Sequence, residues 1–178
     1  MADRTTAQSI PHGTFLELHS NGVCSEEGHF EFGRRQGAWR RYHASGSLRD
    51  ERTFRRGCLH GPTTGWFDTG QLAYEKHFVD GIKHGPWATW HGNGAMSGEG
   101  EYVDGCPHRD FTRFWPNGRT LITGSFEEGR PVGVWRVWSS AGHKVYDGPW
   151  CTDLAGHLPE ALLADLMANN PALLKRIA

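Results

Sequence analysis

The fold this sequence predicts is all-β: a repeat array of about six 24-residue β-hairpins forming one elongated, twisted antiparallel sheet, with a C-terminal helical cap. Three observations carry that expectation. Glycine recurs in strict register at Gly22, Gly46, Gly70, Gly94, Gly118 and Gly142, and again at Gly33, Gly57, Gly81, Gly105 and Gly129. A third series, Gly13, Gly37, Gly61, Gly85 and Gly133, is broken once, by Arg109. No gap interrupts the register from His12 to about Trp150, so one small unit is stacked on copies of itself.

Each unit reads as a hairpin. Its first strand carries the aromatic column Phe15, Trp39, Thr63, Trp87, Phe111 and Trp135, then the column Leu18, Tyr42, Trp66, Trp90, Phe114 and Trp138. Pairs such as Asn21-Gly22, Ser45-Gly46 and Asn117-Gly118 follow, and they suit tight turns that need positive φ. The second strand carries Glu27, Glu51, Glu75 and Glu99, a column that lapses at Thr123 and returns as Asp147. It ends on Phe30, Phe54, Phe78, Tyr102, Phe126 and Trp150. Asp80-Gly81, Asp104-Gly105 and Glu128-Gly129 mark the return turn into the next unit.

The first two aromatic columns lie three residues apart, which plain strand alternation does not place on one face. A bulge in each hairpin, or the use of both faces, reconciles this. Trp90, in the best-formed repeat, is expected to be a buried rung of its ladder.

The ends differ from the body. Residues 1–11 are polar and read as a flexible N-terminus, residues 12–156 as the repeat domain, and residues 157–178 as a helical cap. In the cap, Leu162, Leu163, Leu166 and Met167 share one helical face and Pro159 suits a first turn. Leu173, Leu174 and Ile177 form a second short turn. The cap serves as a lid on the open edge after the last hairpin, or as a docking helix.

The run from His84 through Trp87 and Trp90 to Gly94, followed by Tyr102 and Asp104-Gly105, resembles the variant MORN repeat of bacterial proteins. Similar phrases start at Gly37, Gly61 and Gly133, with a weaker copy at Gly13; Thr63, Arg109, Thr123 and Asp153 depart from the pattern. The resemblance implies successive hairpins and a role in binding other molecules. Bacterial members of the family include antitoxin-like and immunity-like components, and the family has no shared catalytic residues to carry over.

The net charge of −1 argues against a general polyanion binder. The distribution is uneven, however. Arg34, Arg35, Arg40, Arg41, Arg49, Arg52, Arg55 and Arg56 stand against Asp50 and Glu51 alone, a local balance of +6. Such a patch reads either as a solvated face or as one that steers an acidic protein partner. Trp39 and Tyr42 would suit nucleic acid or anionic lipid, but no nucleic-acid motif accompanies them. A second candidate contact surface is the aromatic one around Trp87, Trp115 and Trp135.

The four cysteines form no disulfide framework, since Cys58 and Cys106 share a column two repeats apart. Reduced thiols fit a cytoplasmic protein. His12, His60, His84 and His108 recur at steps too wide for one metal centre, so a turn role is expected of them. The glutamate column is equally architectural, and no catalytic constellation, cofactor or metal site is expected.

The function this predicts is a non-enzymatic protein-binding scaffold, monomeric or weakly dimeric. In its narrower form it is an antitoxin or immunity protein that occludes a toxin. A peripheral membrane or junction scaffold on anionic lipid is the alternative, and an enzyme the third.

Overall fold

The structure, a computed structural model, describes residues 12–169. The expected flexible N-terminus and the short turn at Leu173, Leu174 and Ile177 lie outside the described residues, as does the side chain of Met167.

Thirteen strands and two helices follow one another. The strands are β1 (His12–Leu18), β2 (Cys24–Glu31), β3 (Arg34–Tyr42), β4 (Leu48–Arg55), β5 (Cys58–Trp66), β6 (Leu72–Val79), β7 (Ile82–Lys83), β8 (Gly85–Trp90), β9 (Met96–Val103), β10 (Cys106–Phe114), β11 (Thr120–Glu127), β12 (Arg130–Trp138) and β13 (Lys144–Gly148). The helices are α1 (Thr152–Gly156) and α2 (Glu160–Asn169), so helical structure starts four residues after the last strand. Every strand pairs antiparallel with its sequence neighbour, with the two-residue β7 alongside β6, and the result is one open sheet of hairpins in series.

Two turn types explain the glycine series. At one end of the strands, Phe32-Gly33, Arg56-Gly57, Asp80-Gly81, Asp104-Gly105 and Glu128-Gly129 take consecutive positive φ values, the signature of two-residue type I′ hairpin turns. At the other end, Gly22, Gly46, Gly70, Gly94, Gly118 and Gly142 close longer turns, Gly22 N donating to His19 O and Gly46 N to His43 O. The one break in the third series leaves the backbone unchanged, because Arg109 itself adopts φ 59.

The three-residue offset between aromatic columns resolves in favour of both expedients. A bulge recurs in every unit, as between Arg41 and Tyr42 and between Thr89 and Trp90. The two columns also occupy opposite faces. Trp39, Trp87, Phe111 and Trp135 are buried on what we call the inner face, whereas Tyr42 lies with Glu27 and Arg40 on the outer face. Trp90 is therefore not the core residue expected of it. It sits half-buried beside the bulge on the outer face, and Trp87, three residues earlier, is the buried ring.

A column not read from the sequence sets the inner-face packing. Gly28, Gly100 and Gly124 lie beneath Trp39, Trp87 and Trp135, where any Cβ would overlap the indole or press into it. The rings meet edge-on across the ladder: Phe30 to Trp39 at 4.9 Å, Phe126 to Trp135 at 5.0 Å, and Trp135 to Trp150 at 4.9 Å.

The helices lie over this face. Leu154, Leu158 and Leu166 join one buried cluster with Trp87, Phe111, Phe126, Trp135 and Trp150, and Leu162 and Leu163 pack against it. They cover the aromatic face of the last units. The corresponding rings of the first units, Phe15, Phe30, Trp39 and Phe54, pack on one another and on arginine.

Candidate protein-binding face

Where the ladder loses its indole at Thr63, the column beneath it changes from glycine to arginine. Thr63 pairs with Arg52, and Lys76 takes the next place in that column. Into the space left by the missing ring folds a network of charges. Asp50, 1% exposed, receives Arg41 Nη2 at 2.7 Å and lies 2.9 Å from Arg52 Nε. Glu26 takes both arms of Arg35 at 2.8 and 2.9 Å and Arg52 Nη2 at 2.8 Å. The Arg35 guanidinium also lies 4.0 Å over the Trp39 ring. Each buried carboxylate thus has charge-assisted partners, which offset the cost of removing it from water. The hydrogen bond from Arg41 to Asp50 pushes the Arg41 guanidinium's pKa further up.

Arg49 is the extra residue of the bulge opposite Arg41 and Tyr42, and it is exposed. With Arg35, Arg41 and Arg52 it lines a surface cavity of about 310 Å³, shared with Glu17 and Glu26. Four of the eight candidate arginines therefore gather on the inner face of the first units.

The other four do not join them. Arg40 lies on the outer face, donating from Nε to Glu51 Oε2 at 2.6 Å. There Tyr42 donates its hydroxyl to Glu27 at 2.6 Å; that bond first, with burial adding, pushes the phenol up to about 12. Arg55 pairs with Asp80 at 2.8 Å and holds that carboxyl below its usual range. Arg34 follows the Phe32-Gly33 turn, and Arg56 is the first residue of the Arg56-Gly57 turn. Strand alternation divides a cluster that is continuous in sequence.

The aromatic candidates separate as well. Trp135 is fully buried and Trp87 is 7% exposed, so neither offers a contact surface: both are taken up by the core. Trp115 is half-buried, its indole N–H donating to Trp138 O at 2.9 Å. That bond belongs to a series tying each long turn to the next, together with His19 to Tyr42 O, His43 to Trp66 O and His91 to Phe114 O. Asn21, Asn93 and Asn117 make parallel bonds to Ala44, Pro116 and Ser140. At the opposite end, His60 and His84 accept from the backbone N–H of Asp80 and Asp104, the turn role expected of their column. Among the described residues no three potential metal ligands converge, and all four cysteines are free thiols.

Residues 35–56 and 59–80, the β3–β4 and β5–β6 hairpins, match the family model of the MORN repeat variant. The two matches fall on adjacent units of the array. The charge network described above lies largely within the first of them. MORN repeats are in general modules that bind proteins or membranes, and all-β scaffolds of this kind are typically non-enzymatic. No helix among the described residues is long and apolar enough to cross a membrane.

No curated protein matches the sequence. Among solved structures the chain is similar to one in a crystal structure of accessory secretory protein 1, 2 and 3 in Streptococcus pneumoniae, with 13% identity and a TM-score of 0.33, over 64% of this chain and 21% of that one. It is also similar to a chain in a GtfA/B complex bound to UDP and GlcNAc, with 11% identity and a TM-score of 0.27, over 80% and 31%. It spans about a fifth and about a third of the lengths of those two chains.

Proposed function

We propose that this protein is a non-catalytic scaffold that binds a protein partner on the inner face of its first units, at Arg35, Arg41, Arg49 and Arg52. One observation carries the reading. The chain's own leucines cover the aromatic face of the last units, whereas the same face of the first units is roofed by guanidinium groups beside an open cavity. Arginine suits such a surface because its planar fork pairs with carboxylates bidentately, and exposed cations steer an acidic partner. The narrower role is that of an antitoxin or immunity protein occluding a toxin, supported by the resemblance to bacterial variant repeat proteins.

Affinity capture followed by mass spectrometry tests the reading. Wild-type protein retains a partner that is released by salt, Arg49→Glu loses it, and Arg40→Glu on the outer face keeps it. Capture indifferent to Arg49 contradicts the assignment. The narrower role predicts that co-expression rescues growth from the captured partner's toxicity, and that Arg49→Glu does not.

A further inference from the structure

The five type I′ turns form a continuous ridge. The last four are each tied to the unit before, Gly57 N donating to Arg35 O, Gly81 N to Leu59 O, Gly105 N to Lys83 O and Gly129 N to Pro107 O. With two strands per step the ridge advances ~10 Å per turn and spans about 40 Å.

Its chemistry is antisymmetric about the middle turn. Val79 and Ile82 flank Asp80-Gly81 and are 44% and 51% exposed, a small apolar centre. Asp80 itself is held by Arg55 and His60. One step towards the N-terminus stands Arg56, exposed and without a carboxylate partner among the described residues. One step towards the C-terminus stands Asp104, its side chain 87% exposed and, among the described residues, in an ion-pair contact with His84 alone. The outermost turns keep the same polarity, with Arg34 beside Phe32 at one end and Glu128 at the other.

We propose that this ridge docks a second copy of the chain, antiparallel, about a two-fold axis through the Asp80-Gly81 turn. Val79 and Ile82 meet their counterparts, and each Arg56 faces the other copy's Asp104. The parallel arrangement sets Arg56 against Arg56 and Asp104 against Asp104, and like charges so opposed repel. A two-fold interface is self-complementary in the way this ridge is. A row of turn tips buries less than the ~800 Å² per partner of a standard interface, so the dimer is weak and dissociates on dilution. The ridge runs along the strand ends, apart from the arginine-lined face, so the two readings stand or fall separately.

The chain carries its own reporters. Cys58 and Cys106 are both exposed and occupy equivalent places beside the second and fourth turns, 24 residues before and after Ile82. The antiparallel dimer brings Cys58 against the other copy's Cys106.

Cross-linking with a short bis-maleimide and peptide mapping therefore gives a Cys58–Cys106 link between copies. Sedimentation velocity gives a dimer at high protein concentration that falls apart in salt. Arg56→Asp and Asp104→Arg each weaken association by about tenfold or more, the equivalent of ~1.4 kcal/mol, and combining them restores it. A protein monomeric at every concentration, a link of Cys58 to Cys58, or a double variant no better than the singles overturns the proposal.

Discussion

The indole of Trp135 occupies the space where a side chain on Gly124 would stand, and Trp39 stands in the same relation to Gly28. The glycine column and the tryptophan column are two halves of one packing unit. Gly124→Ala should therefore destabilise the protein by about 1–3 kcal/mol, the usual cost of forcing extra volume into a packed core. Trp135→Ala should cost roughly 3–5 kcal/mol. Trp90→Ala, on the outer face and half-buried, should cost distinctly less. Urea denaturation of the three variants measures all of this, and equal losses at Trp90 and Trp135 would reverse the assignment of faces.

Arg109 should be replaceable with profit. It holds φ 59 in a column otherwise made of glycine, and its contact to Glu101 is a long 3.6 Å on a side chain 73% exposed. A left-handed backbone costs a residue with a Cβ roughly 1–2 kcal/mol, while a surface ion pair contributes little. Arg109→Gly should raise the denaturation midpoint. A lowered midpoint would mean that the Arg109 side chain supports the fold.

The arginines around Asp50 should be structural before they are anything else. Arg52→Glu places a third carboxylate beside Asp50 and Glu26, both buried. Removing one partner of a buried ion pair typically costs about 3–5 kcal/mol. Thermal unfolding should show that loss for Arg52→Glu and almost none for Arg49→Glu.

Tyr42 supplies an alkaline marker. Its folded pKa, about 12, lies above the ordinary value near 10 because the neutral hydroxyl donates to the Glu27 carboxylate. For a group raised on folding, the stabilisation is fully present below the unfolded value and is lost as pH rises through the folded one. Burial also raises Tyr74, so ultraviolet titration should show Tyr42 and Tyr74 ionising late, and Glu27→Gln should bring down Tyr42 alone. A profile unchanged by Glu27→Gln would break the assignment.

The period, the hairpins and their turns were legible in the sequence because each unit repeats the same backbone requirement, from Asn21-Gly22 to Asp104-Gly105. The inside and the outside were not. Trp87 and Trp90 are equally aromatic, and which one is buried depends on a bulge whose extra residue varies from Arg49 to Leu121. The Gly28, Gly100 and Gly124 column kept the same 24-residue step and could have pointed to the answer, since a glycine facing a tryptophan marks close approach. The arginine cluster misled for a related reason. Charge summed along the chain ignores strand alternation, which parts Arg40 from Arg41, and cross-strand pairing, which brings Glu26 to Arg35 and Arg52.

Recognition on the arginine-lined face of the first units is tested most directly by association kinetics with the captured partner at low and high salt. Arg49→Glu should slow association at low salt, the difference should shrink at high salt as charges beyond about a Debye length are screened, and Arg40→Glu should match wild type. Equal association rates for Arg49→Glu and wild type at low salt would contradict recognition on this face.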